Sequence, residues 1–312
     1  MSPLKQAMGD YLALRRSLGH KLAETERQLT KFVTYLDFIG AETVTMDAAL
    51  AFVFDPDIDP ASTIPSRRLS AVRGFARHLA GSDPTTQIPP AGLVTYRRRR
   101  RTPFLFSEGD VVDLIAAARA TTPYPLRAVM LETLIGLLAV TGMRVGEAIR
   151  LERTDIDWAD AVIEVRATKF GKSRNVPVAP TTIDALAAYA ELRDDAMGRV
   201  ASPTTRLFVS LPGTPVAYSY FLRTFNKALV ISGVGAGSPV KPHVHDLRHS
   251  FAMRTLTGWC RDRLDIDVLM PQLSTYLGHR EPRYTYWYLT ATPELLGHAA
   301  GRLEAHRQAV TS

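Results

Sequence analysis

Residues 161–180 read AVIEVRATKFGKSRNVPVAP. Val162, Glu164 and Arg166 alternate with Ile163 and Val165, a glycine-containing turn falls at 170–173, and Val176 and Val178 flank Pro177. Period-two alternation on both sides of a short turn predicts a β-hairpin. RLFVS at 206–210 offers one more candidate strand. Nearly everything else has helical spacing. The fold class expected is therefore α+β, mostly α, with a small antiparallel sheet.

Working outward, FSEGDVVDLIAAARA opens on a cap signature, Ser107 with Asp110 three residues on, before an apolar run. A helix is expected over about 125–140, stopped by Gly142, and another from about Val145. Further helices are expected around 221–230, 245–257, 266–276 and 284–290. A tail helix follows from Thr292, with Pro293 at its first position and a stripe of Leu296, Ala299, Ala300 and Leu303.

Upstream of the hairpin domain the chain is helical and basic. Leu29, Phe32, Val33 and Leu36 fall at i, i+3, i+4 and i+7 before Gly40. A second helix is expected to start with Ser66 as cap, to bury Leu69, Val72, Ala76 and Leu79, and to end at Gly81. Arg73 and Arg77 share its other face. Then QIPPAGLVTYRRRRRTP breaks regular structure, and Arg97, Arg98, Arg99, Arg100 and Arg101 repel one another into an extended strap. The domains expected are 1–95, helical; 96–102, a basic linker; and 103–312, carrying the hairpin and the tail.

Composition limits the function. The 312 residues carry a formal charge of +7, and residues 1–101 hold 15 Lys and Arg against 10 Asp and Glu. Five of the seven excess charges thus sit in the first domain and the strap, which suits a polyanionic partner. One cysteine, Cys260, excludes an intramolecular disulfide framework. VMLETLIGLLAVTG, the most apolar stretch, contains Glu132 and is too short for a bilayer. The expectation is a soluble cytoplasmic protein associated with the nucleoid, with no membrane partner.

Polar clusters in the second domain carry the chemistry. Arg144 opens a helix in TGMRVGE, where unpaired N–H groups and a guanidinium fork suit a phosphate; Glu147, three residues on, is either a first-turn dipole partner or an orienter of Arg144. In HDLRHS, His245 and Arg248 share a helix face. His245 and His249 also have metal-ligand spacing, but the Glu of an H-E-x-x-H helix is missing, so no metal is expected. His249 alone is read as a supporting or capping histidine. Lys169 and Lys172 lie in the hairpin turn; lysines there are ordinarily just exposed, but a hairpin can carry an ammonium into a nucleic-acid groove. GHREPRYTYWYL at 278–289 adds His279, Tyr284, Tyr286 and Tyr288. Arginines neutralise charge growing on phosphate oxygens, a tyrosine can attack phosphorus, and a lysine or histidine can protonate a leaving alkoxide.

Taken together and in order, TGMRVGEAIRL, TKFGKSRNVPV, HDLRHSFA and LGH, followed by a tyrosine nine residues after the histidine, resemble the tyrosine recombinases of the phage-integrase family. The resemblance spans about 103–300. It implies a catalytic domain there and a helical core-binding domain at 1–95. It implies Arg144 and Arg248 as the catalytic arginines, His245 as the histidine assisting proton transfer, His279 as a phosphate ligand and Tyr288 as the nucleophile. Tyr284 and Tyr286 are then packing residues. Lys169 matches the general-acid lysine, seven residues before Val176. The family's usual GKG turn is here TKFGKS, which leaves Lys172 as the alternative. The implied function is site-specific DNA strand exchange through a 3′-phosphotyrosyl intermediate, without metal, ATP or other cofactor, on double-stranded DNA. The implied assembly is a homo- or hetero-tetramer with other recombinase subunits, and a mobile element is the implied setting. Arg73, Arg77, Arg97 to Arg101 and Lys172 are expected to contact DNA. The alternatives are type IB topoisomerase-like relaxation and a DNA-binding protein that has lost cleavage.

Overall fold

The computed structural model describes residues 2–94, 101–166, 173–198, 204–279, 281–290 and 297. The chain divides into two compact units, 1–100 and 101–312.

The described part of the first unit is built from helices α1 (Pro3–Ser17), α2 (Ala23–Phe38), α3 (Met46–Val53) and α4 (Ile64–Leu79). Ser2 and Thr45 cap α1 and α3 through their hydroxyls, satisfying amides that the first turn leaves unpaired. The α2 stripe packs as its spacing predicts: Leu29, Phe32 and Leu36 are fully buried with Val33, against Val72, Phe75 and Ala76 of α4. Gly40 follows α2 at φ +66°. The start of α4 differs from expectation. It begins at Ile64, with Pro65 in the first turn, so Ser66 lies inside the helix. A proline preset at helical φ without a donor fits a first turn better than the position before a cap.

In the second unit, α5 (Glu108–Ala120) carries the expected capping box, with the Asp110 amide donating to Ser107 Oγ at 3.1 Å and the Ser107 amide to Asp110 Oδ2 at 2.8 Å. Next come α6 (Pro125–Thr141), one-turn α7 (Val145–Ala148), strands β1 (Ile156–Asp157), β2 (Val162–Val165) and β3 (Arg174–Pro177), and helices α8 (Pro180–Met197), α9 (Tyr218–Ser232), α10 (Asp246–Arg261), α11 (Ile266–Leu277) and α12 (Arg283–Tyr286). The strands form an antiparallel sheet in the order β1-β2-β3, with Ile163 opposite Val176 and Val165 opposite Arg174. Ile163, Val165 and Val176 point into the core.

RLFVS does not form a strand. Leu207, Phe208 and Val209 are all buried. The segment makes only isolated bridges, Glu152 with Arg206 and Val209 with Pro215. A strand alternates its faces, whereas three consecutive buried side chains leave no solvent face. The helix expected over 284–290 is α12 followed by a 3₁₀ turn, Trp287–Thr290. The tail from Thr292 and its apolar stripe lie outside the described residues, apart from the backbone of Gly297. Among the described residues no helix is long and apolar enough to cross a membrane.

Two packing relationships position the functional side chains. α6 packs on α10, and α10 packs on α11 and the 3₁₀ turn. The Phe106 amide donates to Ser250 Oγ at 2.8 Å, tying the start of the unit to the middle of α10.

Candidate active site

Helix α6 ends at Gly142, φ +60°, and α11 ends at Gly278, φ +66°. Left-handed backbone at a helix end favours glycine. Neither turn has room for a side chain: a Cβ on Gly142 falls 2.6 Å from the Phe251 ring, and one on Gly278 falls 2.7 Å from the Arg174 guanidinium. These two turns brace the arginines crosswise. Arg248, 2 % exposed on α10, donates to the carbonyls of Gly142 and Leu277, both at 2.7 Å. Arg144 donates to the Gly278 carbonyl at 2.9 Å.

Glu147 completes the brace. As the third residue of α7, its carboxylate accepts from the Arg144 amide at 3.1 Å and from the Arg144 guanidinium at 2.7 Å. It also accepts from Arg174 of β3 at 2.8 Å. Arg174 donates in turn to the Tyr276 carbonyl at 2.8 Å, fastening the hairpin to the end of α11. Burial opposes the charge on Glu147, but hydrogen bonds and attraction from Arg174 and Arg144 prevail and hold its pKa down to about 2. Arg248 is pushed down to about 10, first by burial and then by the Arg144 charge.

The carboxylate makes a stability prediction. With an ordinary value of 4.5 and a folded value of about 2, charged Glu147 contributes roughly 3 kcal/mol, an order of magnitude from about 1.4 kcal/mol per unit. That contribution is full above pH 4.5 and is lost as pH falls toward 2. Glu147→Gln is expected to lower the unfolding free energy of the second unit at neutral pH by about 3–5 kcal/mol, because two guanidiniums lose their shared anion. Denaturant unfolding across pH 2–7 checks both points, and the variant should lack this part of the acid slope.

The histidines lie beside this brace. His245 is the N-cap residue of α10, exposed and without a side-chain cap hydrogen bond. Partial loss of hydration among neighbouring protein atoms, then the charges of His249 and Arg248, push it down to about 4. His279 follows Gly278, and its Nδ1 lies 2.7 Å from Thr285 Oγ1. Burial, then Arg248 and Arg144, push it down to about 3.

Tyr288 stands in the 3₁₀ turn, 2 % exposed, among Ala252, Met253, Leu256, Met270, Leu273 and Leu277. Its ring lies nearly parallel to that of His279, with centroids 6.4 Å apart, and its hydroxyl is 2.9 Å from His249 Nδ1. Tyr284 and Tyr286, expected to pack, are instead about two-fifths exposed, at 39% and 40%. The one-turn helix α12 buries Thr285, and the Tyr284 ring meets that of His279 edge to face at 6.4 Å.

Arg144, His245, Arg248, His279 and Tyr288 thus gather in one place, from α7, both ends of α10's first turn, the loop after α11 and the 3₁₀ turn. Lys169 and Lys172 lie outside the described residues, as do Arg97, Arg98, Arg99 and Arg100. Arg101 is described: it donates to the Lys241 carbonyl and pairs with Asp246, the buried first residue of α10. In the first unit, Arg73 donates to the Pro89 carbonyl. It lines a hollow of about 370 Å³ together with Arg15, Arg67 and Arg77. The sequence reading missed Arg174 altogether and missed the phenol contact of His249. His245 and His249 stack edge to face at 4.9 Å. Among the described residues no three His, Cys, Asp or Glu side chains gather as a metal site.

Residues 106–294 match the model of the phage integrase family. The chain belongs to that family, and it is a tyrosine-type site-specific DNA recombinase. Among its relatives, y4rB of Sinorhizobium fredii, named as an integrase/recombinase, is 41% identical over 97% of this chain and 98% of its own. Tyrosine recombinase XerD of Bradyrhizobium diazoefficiens is 32% identical over 92% of this chain and 91% of its own. Among solved structures, XerH site-specific recombinase bound to its difH substrate shares the fold with a TM-score of 0.63 at 17% identity, covering 91% of this chain and 81% of that one. The Tn1549 transposon integrase with circular intermediate DNA gives 0.61 at 15%, covering 95% and 99%. Topoisomerase-like relaxation is not favoured by this company.

Proposed function

We propose that Tyr288 attacks a scissile phosphodiester of duplex DNA, forming a 3′-phosphotyrosyl link and releasing a 5′-hydroxyl, which a partner strand's 5′-hydroxyl then reverses. One phosphodiester replaces another, so bond energy is conserved and neither ATP nor metal is required. Arg144 and Arg248 hold the non-bridging oxygens and neutralise charge growing on them. His279 hydrogen-bonds the phosphate, and His245, open to solvent at the α10 N-terminus, assists proton transfer. Lys169 protonates the departing 5′-oxygen, with Lys172 as the alternative. The observation that carries this reading is the convergence of Arg144, His245, Arg248 and His279, drawn from three motifs, around Tyr288. Trapping the enzyme on a nicked suicide substrate, digesting it and sequencing the DNA-linked peptide by mass spectrometry tests it. The link should fall on Tyr288; a link on another residue sinks the assignment.

The same reading gives residues 1–95 the role of core-binding domain, 96–102 that of a basic strap and 103–312 that of the catalytic domain. Arg73, Arg77, Arg97–Arg101 and Lys172 contact DNA. The working assembly on DNA is a tetramer, alone or with other recombinase subunits, because strand exchange needs two duplexes and four nucleophiles. The setting is the cytoplasm, on the nucleoid. Replacing Arg97–Arg101 by Gln should weaken binding to all sequences alike and flatten its salt dependence, because each phosphate contact contributes roughly one unit of the log–log slope. An unchanged slope in a salt titration makes the run a tether.

A further inference from the structure

The phenol of Tyr288 poses a problem of proton balance. An unperturbed tyrosine ionises near pH 10, so at neutral pH the attacking oxygen carries a proton that must leave as the bond to phosphorus forms. Solvent is a poor acceptor here, since Tyr288 is only 2 % exposed. The side chain its hydroxyl meets is His249, with Nδ1 2.9 Å away. That is within the reach required of a general base.

The imidazole is held in this orientation. Its ring meets His245 edge to face at 4.9 Å, Trp287 at 5.7 Å and Tyr288 at 5.5 Å. His249 lies one turn further along α10 than His245, on the side where the 3₁₀ turn packs. In a neutral imidazole carrying its proton on Nε2, Nδ1 is the acceptor that the phenol meets. Arg248, the residue before His249 in the chain, interacts electrostatically with Tyr288.

Resting on the assignment of Tyr288 as nucleophile, we infer that His249 is a catalytic residue that takes the Tyr288 proton during attack and returns it on religation. In the forward step the Oη–H bond breaks and the proton moves to His249 Nδ1. The Oη electron pair forms the bond to phosphorus, and the P–O5′ bond breaks, its oxygen receiving a proton from the general acid. In the reverse step the incoming 5′-hydroxyl gives its proton back to the group that served as general acid, its oxygen bonds to phosphorus, and His249 protonates the departing tyrosine oxygen. No oxidant, metal or further reactant enters.

The test measures adduct formation on a nicked suicide substrate with His249→Ala, His249→Asn and Tyr288→Phe, each first checked for DNA binding. Asparagine places a polar atom where Nδ1 stood, so it can hold the phenol but cannot take its proton. Both His249 variants should form the adduct at least about 100-fold more slowly, in the range of general-base effects. A substrate with a 5′-bridging phosphorothiolate should rescue neither, because the better leaving group does not deprotonate the nucleophile. An Asn variant within about threefold of wild type, or rescue of either variant by the phosphorothiolate, overturns the inference, since general-base loss is far larger than that. An adduct surviving in Tyr288→Phe overturns instead the nucleophile assignment on which it rests.

Discussion

Tyr288→Phe is expected to bind target DNA as the wild type does and to form no covalent adduct. The substitution keeps the ring that packs among Leu256, Met270, Leu273 and Leu277 and removes only the oxygen. Losing the contact with His249 costs the fold about 1 kcal/mol, the usual net worth of a hydrogen bond, so the variant remains folded. Without the oxygen no phosphotyrosyl bond can form, and the expected loss is complete. Tyr284→Phe and Tyr286→Phe should form the adduct, since each keeps its ring and the Tyr288 oxygen is untouched. Nicked suicide substrates resolved on denaturing gels decide between the three. Adduct in Tyr288→Phe moves the nucleophile elsewhere.

Lys169→Ala should nearly abolish cleavage of ordinary DNA, by about 100-fold to 10,000-fold, as removal of a general acid does. The departing 5′-oxygen is a poor leaving group unless protonated. On a 5′-bridging phosphorothiolate the departing atom is a thiolate, which needs no proton, so cleavage by Lys169→Ala should recover. Arg144→Ala should not recover, because its guanidinium acts on the non-bridging oxygens. Lys172→Ala should lose binding strength at most. The opposite pattern, with rescue confined to Lys172→Ala, moves the role three residues along the hairpin.

Much of this site was legible because its residues sit in short local motifs. Glycine before Arg144, the i and i+3 spacing of His245 and Arg248, and nine residues from His279 to Tyr288 are all features of a linear chain. The helices were legible for a similar reason, since a stripe such as Leu29 to Leu36 repeats within one element. What stayed hidden depends on distant partners. Arg174 meets Glu147 from 27 residues away, and His249 meets Tyr288 across 39. Nothing in SRNVPV marks an arginine destined for a buried carboxylate. RLFVS misled for the complementary reason: its composition suits a strand, but Leu207, Phe208 and Val209 are all buried and pair only through isolated bridges.

The sharing of Glu147 between two arginines has an electrostatic consequence. His245 and His279 are held down to about 4 and about 3, so both are neutral at cellular pH. Arg144, Arg174 and Arg248 bring three positive charges, and Glu147, held near 2, removes one. These four described groups therefore sum to a charge of two. A phosphodiester at rest carries one negative charge, whereas pentacoordinate phosphorus under attack by a phenolate carries two. On the proposed assignment, these four groups counterbalance the summit more closely than the starting point, and stabilising the summit more than the start is the condition for rate acceleration. Without the Glu147 carboxylate the surplus would be larger and would tighten the grip on intact DNA and product alike.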